Sequence, residues 1–273
     1  MRYGMILPGG TPGQQVEQAV LAEECGWDGV FVFDTAYGVD AWSLLAAMAV
    51  RTHRVRLGTM LTPLPFRRPW KLASQVVTVD QLSDGRAILV VGIGALGPEL
   101  PATGEVSGVR ERAERLDDGI DLMRALWAGA TNYQGRYYQY GIEDNDIVSA
   151  AQPVQQPIPI WVVGVWPRPR SMRRVLRCEG VIPQYQVEER EATADDLQAL
   201  GSWLRDNGAA AGFDVIAEGK TPADDKAAAA EQVAPWAGAG ATWWLENNWG
   251  SPAHSPERMA QVTARLKAGP PAP

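Results

Sequence analysis

The stretch VVGIGALG, Val90 to Gly97, decides how this chain is read. An apolar run enters Gly92-x-Gly94-x-x-Gly97, the spacing of the dinucleotide-binding turn of a doubly wound sheet. That turn needs its last glycine in the first turn of a helix, with an acidic residue about 20 positions further on. Here Pro98, Pro101 and Gly104 follow Gly97, so no helix is expected before about Val109, and the run sits on a fourth strand instead of a first. The glycines therefore read as the end of a barrel strand, where a missing Cβ lets a flat ligand approach the backbone.

Seven further runs flank this one: Tyr3–Leu7, Gly29–Asp34, Val55–Leu61, Pro159–Gly164, Gly180–Gln184, Phe213–Gly219 and Ala241–Asn247. With Ala87–Gly94 they make eight strands. Several are apolar without alternation, as strands buried on both faces of a parallel sheet are. Between them, apolar residues recur at helical spacing: Leu72, Val76 and Val79; Leu116, Ile120, Met123 and Trp127; Leu197, Leu200 and Leu204; Met259, Val262 and Leu266. Helix entries carry cap chemistry, with Thr193 before Asp195 and Asp196, Ser255 before Pro256 and Glu257, and Pro69 opening the third helix. No linker interrupts the alternation. The expectation is an α/β fold, a (β/α)8 TIM barrel, in a single domain over residues 1–268 with a short tail at 269–273.

The 273 residues carry a net charge of -7, opposite to the positive footprint that nucleic acid or an anionic membrane requires. A small-molecule substrate is expected instead. Cys25 and Cys178 are too few for a disulfide framework or a zinc set, which fits a reducing compartment. His53 and His254 are the only histidines, so no metal-ligand spacing is present, and there is no G-x-S-x-G elbow. The opening MRYGMILPGG has too short an apolar run for a signal peptide or a membrane span, which makes a cytoplasmic protein the expectation.

Leu57 to Gly94 reads LGTMLTPLPFRRPWKLASQVVTVDQLSDGRAILVVGIG: a strand ending LGT, a proline-rich loop, a helix leading into D-x-L-S-x-G-R, then the glycine-ended strand. RERAERLDDGIDLMRALWAG (Arg110 to Gly129), YQGRYYQ (Tyr133 to Gln139) and PIPIWVVGVWP (Pro157 to Pro167) follow. In this order the chain resembles the bacterial luciferase-like family of flavin- or deazaflavin-dependent oxidoreductases over most of its first 185 residues. The resemblance implies a TIM barrel with FMN or coenzyme F-420 across its C-terminal mouth, and a homodimer. It implies a non-prolyl cis peptide at Met60–Leu61, with Thr59 beside it, behind the cofactor ring. Gly92 and Gly94 are then expected under the ring. The cofactor phosphate is expected at the loops after the fifth and sixth strands, where Gly164, Val165 and Trp166 precede Arg168 and Arg170. Backbone N–H groups at a helix start, with arginines, suit an anion. Arg173, Arg174 and Arg177 read as a solvated helix face, and Arg67 and Arg68 as a solvated loop.

One departure stands out. The deazaflavin branch commonly ends its second strand in Asp-His, and this chain has Asp34-Thr35. Threonine cannot act as an acid or base near pH 7, although it can hydrogen-bond a ring atom. Asp34 ends a buried strand, so a catalytic or ion-pair role is expected of it. His53 falls at the wrong end of a barrel and His254 at the correct end, and both read as surface residues. Glu99 lies near a family position that carries a catalytic carboxylate. Trp42, Trp244 and Trp249 are candidate walls of a substrate pocket. Two other functions stay open: a cofactor-free binding or accessory barrel, suggested by Asp34-Thr35, and a glycoside hydrolase using Glu99 and Glu218 from strands four and seven.

Overall fold

A computed structural model describes residues 1–95, 108–142, 152–187, 190–247 and 255–271. The strands are β1 (Arg2–Ile6), β2 (Gly29–Val32), β3 (Arg56–Thr59), β4 (Thr62–Pro63), β5 (Ala87–Gly92), β6 (Asn132–Gln134), β7 (Gln139–Gly141), β8 (Ile160–Trp166), β9 (Gly180–Tyr185), β10 (Asp214–Gly219) and β11 (Trp243–Glu246). The helices are α1 (Pro12–Glu24), α2 (Ala41–Ala49), α3 (Pro69–Leu82), α4 (Val109–Trp127), α5 (Pro169–Val175), α6 (Ala194–Asp206), α7 (Lys226–Gly238) and α8 (Pro256–Ala268). Strands β1, β2, β3, β5, β8, β9, β10 and β11 pair in parallel, each with the next, and β11 closes on β1. This is a (β/α)8 barrel. The eight expected runs are its eight strands, and α4 starts at Val109 behind a Gly108 N-cap, as the prolines required.

The inside of the ring follows from the two-residue period of its strands. Phe31, Trp161 and Trp243 are fully buried and meet at its centre, with ring centroids 5.5 Å apart for Phe31–Trp161 and 5.2 Å for Trp161–Trp243. Rings this large fit because the adjoining positions carry no side chain. A Cβ on Gly4 would lie 2.8 Å from Phe31, one on Gly58 2.9 Å from it, and one on Gly180 2.4 Å from Trp161. Ile6, Ile88, Val90, Ile182, Ile216 and Leu245 fill the remaining interior. The other strand faces pack outward on the helices, with Val32, Leu57, Val91 and Val162 against Leu45, Leu72, Val76 and Ile120 in one continuous core.

Two of the motifs that carry the family resemblance fold as staples away from the mouth. In D-x-L-S-x-G-R, Asp84 and Gly85 turn with φ of 53° and 79°, a left-handed pair that reverses α3 into β5 at the N-terminal face. Arg86 is buried there and donates to the carbonyls of Ser83, Val55, Ala49 and Thr52 and to Thr52 Oγ1. Asp80, fully buried, accepts from the backbone N–H of Val154 and of Gln155, and from Gln155 Nε2. YQGRYYQ is the β6–β7 hairpin, clamped by Asp118 of α4, which accepts from Tyr133 Oη at 2.6 Å and from the N–H groups of Tyr137 and Tyr138. Gly135 is obligatory, since a Cβ there would sit 1.9 Å from Asp118 Oδ1. The hairpin is an addition to the expected strands. No helix among the described residues is long and apolar enough to cross a membrane.

Candidate active site

The C-terminal ends of the barrel strands carry two depressions of opposite charge. Strand β3 stops at Thr59, the Met60–Leu61 peptide is cis, and the chain re-enters the sheet as β4, pairing with Val91 and Gly92 of β5. A relay of hydrogen bonds fixes this segment: Trp42 Nε1 donates to Thr62 Oγ1 (3.3 Å), Thr62 Oγ1 to Thr59 Oγ1 (3.0 Å), and Thr59 Oγ1 to the Val90 carbonyl (3.2 Å). Thr59 is therefore spent on β5, and its side chain does not open to the mouth. Met60 and Leu61 belong to the upper layer of the barrel interior with Phe33 and Val163.

The first depression, of about 440 Å³, is lined by Asp34, Thr35, Tyr37, Asp40, Pro63, Phe66 and Arg67, among others. Asp34 lies two residues past β2 and is 8 % exposed. Its Oδ1 takes the Arg67 guanidinium, so Arg67 is an ion-pair partner and not the solvated residue the loop sequence suggested. Its Oδ2 is buried with no hydrogen-bond donor. Burial raises the Asp34 pKa above the usual aspartate value, more than Arg67 and the nearby Thr62 hydroxyl lower it. The Thr62 hydroxyl lies between Asp34 and Thr59 Oγ1, 3.0 Å from the latter. Thr35 is exposed and donates to the Tyr37 carbonyl.

The second depression, of about 860 Å³, runs from the ends of β5, β8 and β9 between α4 and α5. Ile93, Val163 and Val165 form its apolar side. Arg110, Arg168, Arg170, Arg173, Arg174 and Arg177 line it against two carboxylates, Glu114 and Asp117. Arg174 and Arg177 are engaged by Asp117 and Asp121 and pin α5 to α4. Arg170 and Arg173 are exposed and form no ion pair among the described residues, and Arg168 Nε donates to Gln186 Oε1. Arg173 lines the same depression as Arg168 and Arg170 from the exposed side of α5.

Several expected contacts take other roles. Trp42 and Trp244 are core residues, 2 % and 1 % exposed, and line neither depression. Trp42 supports the cis segment from behind, while Trp244 faces the helix layer, tilted against Trp236, and donates to Glu246. Gly92 and Gly94 make room for the protein itself: a Cβ on Gly92 would lie 2.9 Å from Leu61, and one on Gly94 2.7 Å from Phe66. Gly164 faces outward, where its missing Cβ admits Val175 and Met172 of α5. Trp166 contacts Trp203 of α6, with ring centroids 5.7 Å apart, and its peptide to Pro167 is cis. The N–H of Val165 is taken by Ser171 Oγ. His53 is exposed at the N-terminal face, its N–H held by Glu23. Glu99, Trp249 and His254 lie outside the described residues. Glu218 ends β10 and accepts from Asn247 Nδ2, so a pairing with Glu99 has no measurable separation.

The model of one family, luciferase-like monooxygenase, matches residues 2–270. The chain belongs to the luciferase-like monooxygenase family. It is 36% identical over 167 residues to the F420-dependent glucose-6-phosphate dehydrogenase of Amycolatopsis mediterranei, an overlap of 57% of this chain and 49% of that one. To the enzyme of the same name from Microbacterium testaceum it is 29% identical over 211 residues, 72% of this chain and 61% of the relative. The chain thus spans about half to three-fifths of the length of these relatives. Among solved structures, an F420-dependent secondary alcohol dehydrogenase in complex with an F420–acetone adduct superposes with a TM-score of 0.76 at 17% identity, covering 100% of this chain and 99% of that one. The monooxygenase RslO1 from Streptomyces bottropensis gives 0.72 at 22% identity and 98% coverage of both chains. At these identities the two structures establish the fold. This luciferase-like barrel has its D-x-L-S-x-G-R turn at the N-terminal face, and its LGT strand end and cis peptide at the mouth.

Proposed function

We propose that this protein is a deazaflavin-dependent oxidoreductase acting on a small organic substrate, with the coenzyme's anionic tail in the arginine cleft and the substrate on the Asp34 side. The observation that carries the reading is the row Arg168, Arg170 and Arg173 beside an apolar wall of Ile93, Val163 and Val165. An elongated coenzyme with several negative charges suits a basic cleft of this size, whereas a mononucleotide offers one phosphate to three arginines. Relatives named as F420-dependent support the same choice. When bound, such a coenzyme supplies hydride acceptance or donation.

The chain's own residues supply the rest. The apolar upper layer of Met60, Leu61, Phe33 and Val163 keeps bulk water from the reacting centre. Asp34, which lines the cup and whose pKa burial raises, is the carboxyl assigned to exchange a proton with the substrate, with Arg67 fixing its orientation through Oδ1. Thr35 contributes a hydrogen bond only. A reading with FMN and oxygen is the second possibility, favoured by the lack of a histidine at position 35. Cys25 and Cys178 are both unpaired, in keeping with a cytoplasmic setting, and an isologous homodimer is the assembly proposed.

Anaerobic fluorescence titrations with coenzyme F-420 and with FMN test this reading. F-420 is expected to bind at least tenfold more tightly at moderate salt, about 1.4 kcal/mol or more, with an affinity that falls as salt rises. Equal or tighter binding of FMN would favour the monooxygenase reading. Saturable binding of neither would favour a cofactor-free barrel.

A further inference from the structure

The Asp34 cup has a charge that restricts what enters it. This inference rests on the reading above, which makes the cup the substrate side. Among its lining residues the charged groups are Asp34, Asp40 and Arg67, two carboxylates to one guanidinium. Arg67 is already committed to Asp34 Oδ1. The neighbouring Arg68 is turned away, its guanidinium 6.0 Å from the centre of the Trp70 ring. Asp40 is the N-cap of α2, its Oδ1 accepting from the Ser43 N–H at 2.8 Å. Burial raises the Asp40 pKa, but the backbone and hydroxyl of Ser43 and the charge of Arg67 outweigh it and hold Asp40 below its usual value, so it stays ionised. The cup therefore keeps one uncompensated negative charge.

Its carboxylate oxygens are acceptors in the same sense. Asp34 Oδ2 is buried without a donor, in a side chain that is 1% exposed and lines the cup. The Thr35 hydroxyl proton is spent on the Tyr37 carbonyl. Tyr37, 98% exposed, and Phe66 add aromatic faces at the rim, surfaces that attract cations. A ligand O–H or N–H donor meets the carboxylates of Asp34 and Asp40 here, while a phosphate or carboxylate faces two carboxylates against Arg67, the one cation among the described lining residues, whose charge Asp34 already offsets.

We propose that this cup takes a small substrate that donates hydrogen bonds and carries no negative charge, a hydroxylated or amine-bearing molecule, and that it turns away phosphorylated ones. The shared chemistry is the O–H or N–H donor, and the charge on the ligand separates the two sources.

Backbone-amide NMR of the full chain reads this directly. A nitroxide bearing an ammonium group and the same nitroxide bearing a carboxylate are added in turn. The cationic probe is expected to relax the amides of Thr35 to Asp40 and of Phe66 and Arg67 at least twofold more than the anionic one. Glucosamine should then give saturable shifts of those amides, and glucose 6-phosphate none. Asp40→Asn, which keeps the helix cap, should reduce the probe preference without disturbing other regions. Stronger relaxation by the anionic probe, saturable shifts with glucose 6-phosphate, or no shifts with glucosamine would overturn the proposal. The amides of Arg168, Arg170 and Arg173 serve as a separate readout. If the anionic probe shows no preference there while the cup behaves as stated, the coenzyme assignment fails and this one stands.

Discussion

Replacing Arg168, Arg170 and Arg173 together by glutamate is expected to weaken coenzyme F-420 binding by on the order of a hundredfold or more, with little change in thermal stability. The three arginines line the second depression, and Arg170 and Arg173 form no ion pair among the described residues that their loss would break. A charge-assisted contact between guanidinium and anion contributes about 1 kcal/mol where solvent reaches it, and reversal replaces attraction by repulsion, so a combined loss of about 3 kcal/mol follows. FMN binding should change less, because one phosphate samples fewer of the arginines. The check is a titration of variant and parent at two salt concentrations, since an electrostatic loss shrinks as salt screens it. An unchanged F-420 affinity would move the tail elsewhere. Substituting Arg174 is a poor substitute for this test, because its pairing with Asp117 holds α5 to α4.

The largest expected loss of stability lies at the opposite face. Arg86→Met removes five hydrogen bonds that join the end of α2, the entry to β3 and the turn before β5, and leaves several buried carbonyls without donors. A loss of about 3–5 kcal/mol is expected, enough to lower the thermal midpoint by roughly 10 °C. Arg86→Lys should fall between, since an ammonium cannot reach as many carbonyls in the fork geometry of a guanidinium. Scanning calorimetry of both variants decides it. A near-neutral Arg86→Met would show that the D-x-L-S-x-G-R turn is held by Asp80 alone.

These two sites explain which parts of the molecule were readable beforehand. Buried parallel strands announce themselves as apolar runs, and helix starts through Pro69, Thr193 and Ser255, so the barrel and its element order were legible. Pro98 and Pro101 argue against the helix that a dinucleotide turn requires after the glycines at the end of β5. Their purpose was not legible. Gly92 and Gly94 accommodate Leu61 and Phe66, and a sequence does not say which side chain fills the space a glycine leaves. Direction was the recurring difficulty. Trp243 and Trp244 are adjacent and equally apolar, yet one lies inside the ring and the other against the helices, since neighbouring strand residues face opposite ways. The Asp34–Arg67 pair joins residues 33 positions apart across two strand ends, beyond any local pattern. Arg173 and Arg174 illustrate the same limit on a helix: one opens into the cleft unpaired while its neighbour is buried against Asp117.

In the proposed function, the basic cleft seats the coenzyme and the acidic cup remains for substrate. Hydrogen exchange of the full chain with and without saturating coenzyme F-420 tests it most directly. Slowed exchange is expected in two places, along Val163 to Arg173 and at Met60 and Leu61, with Tyr37 to Asp40 unchanged until substrate is added. Slowed exchange confined to Tyr37–Asp40, with Val163–Arg173 unaffected, would contradict it.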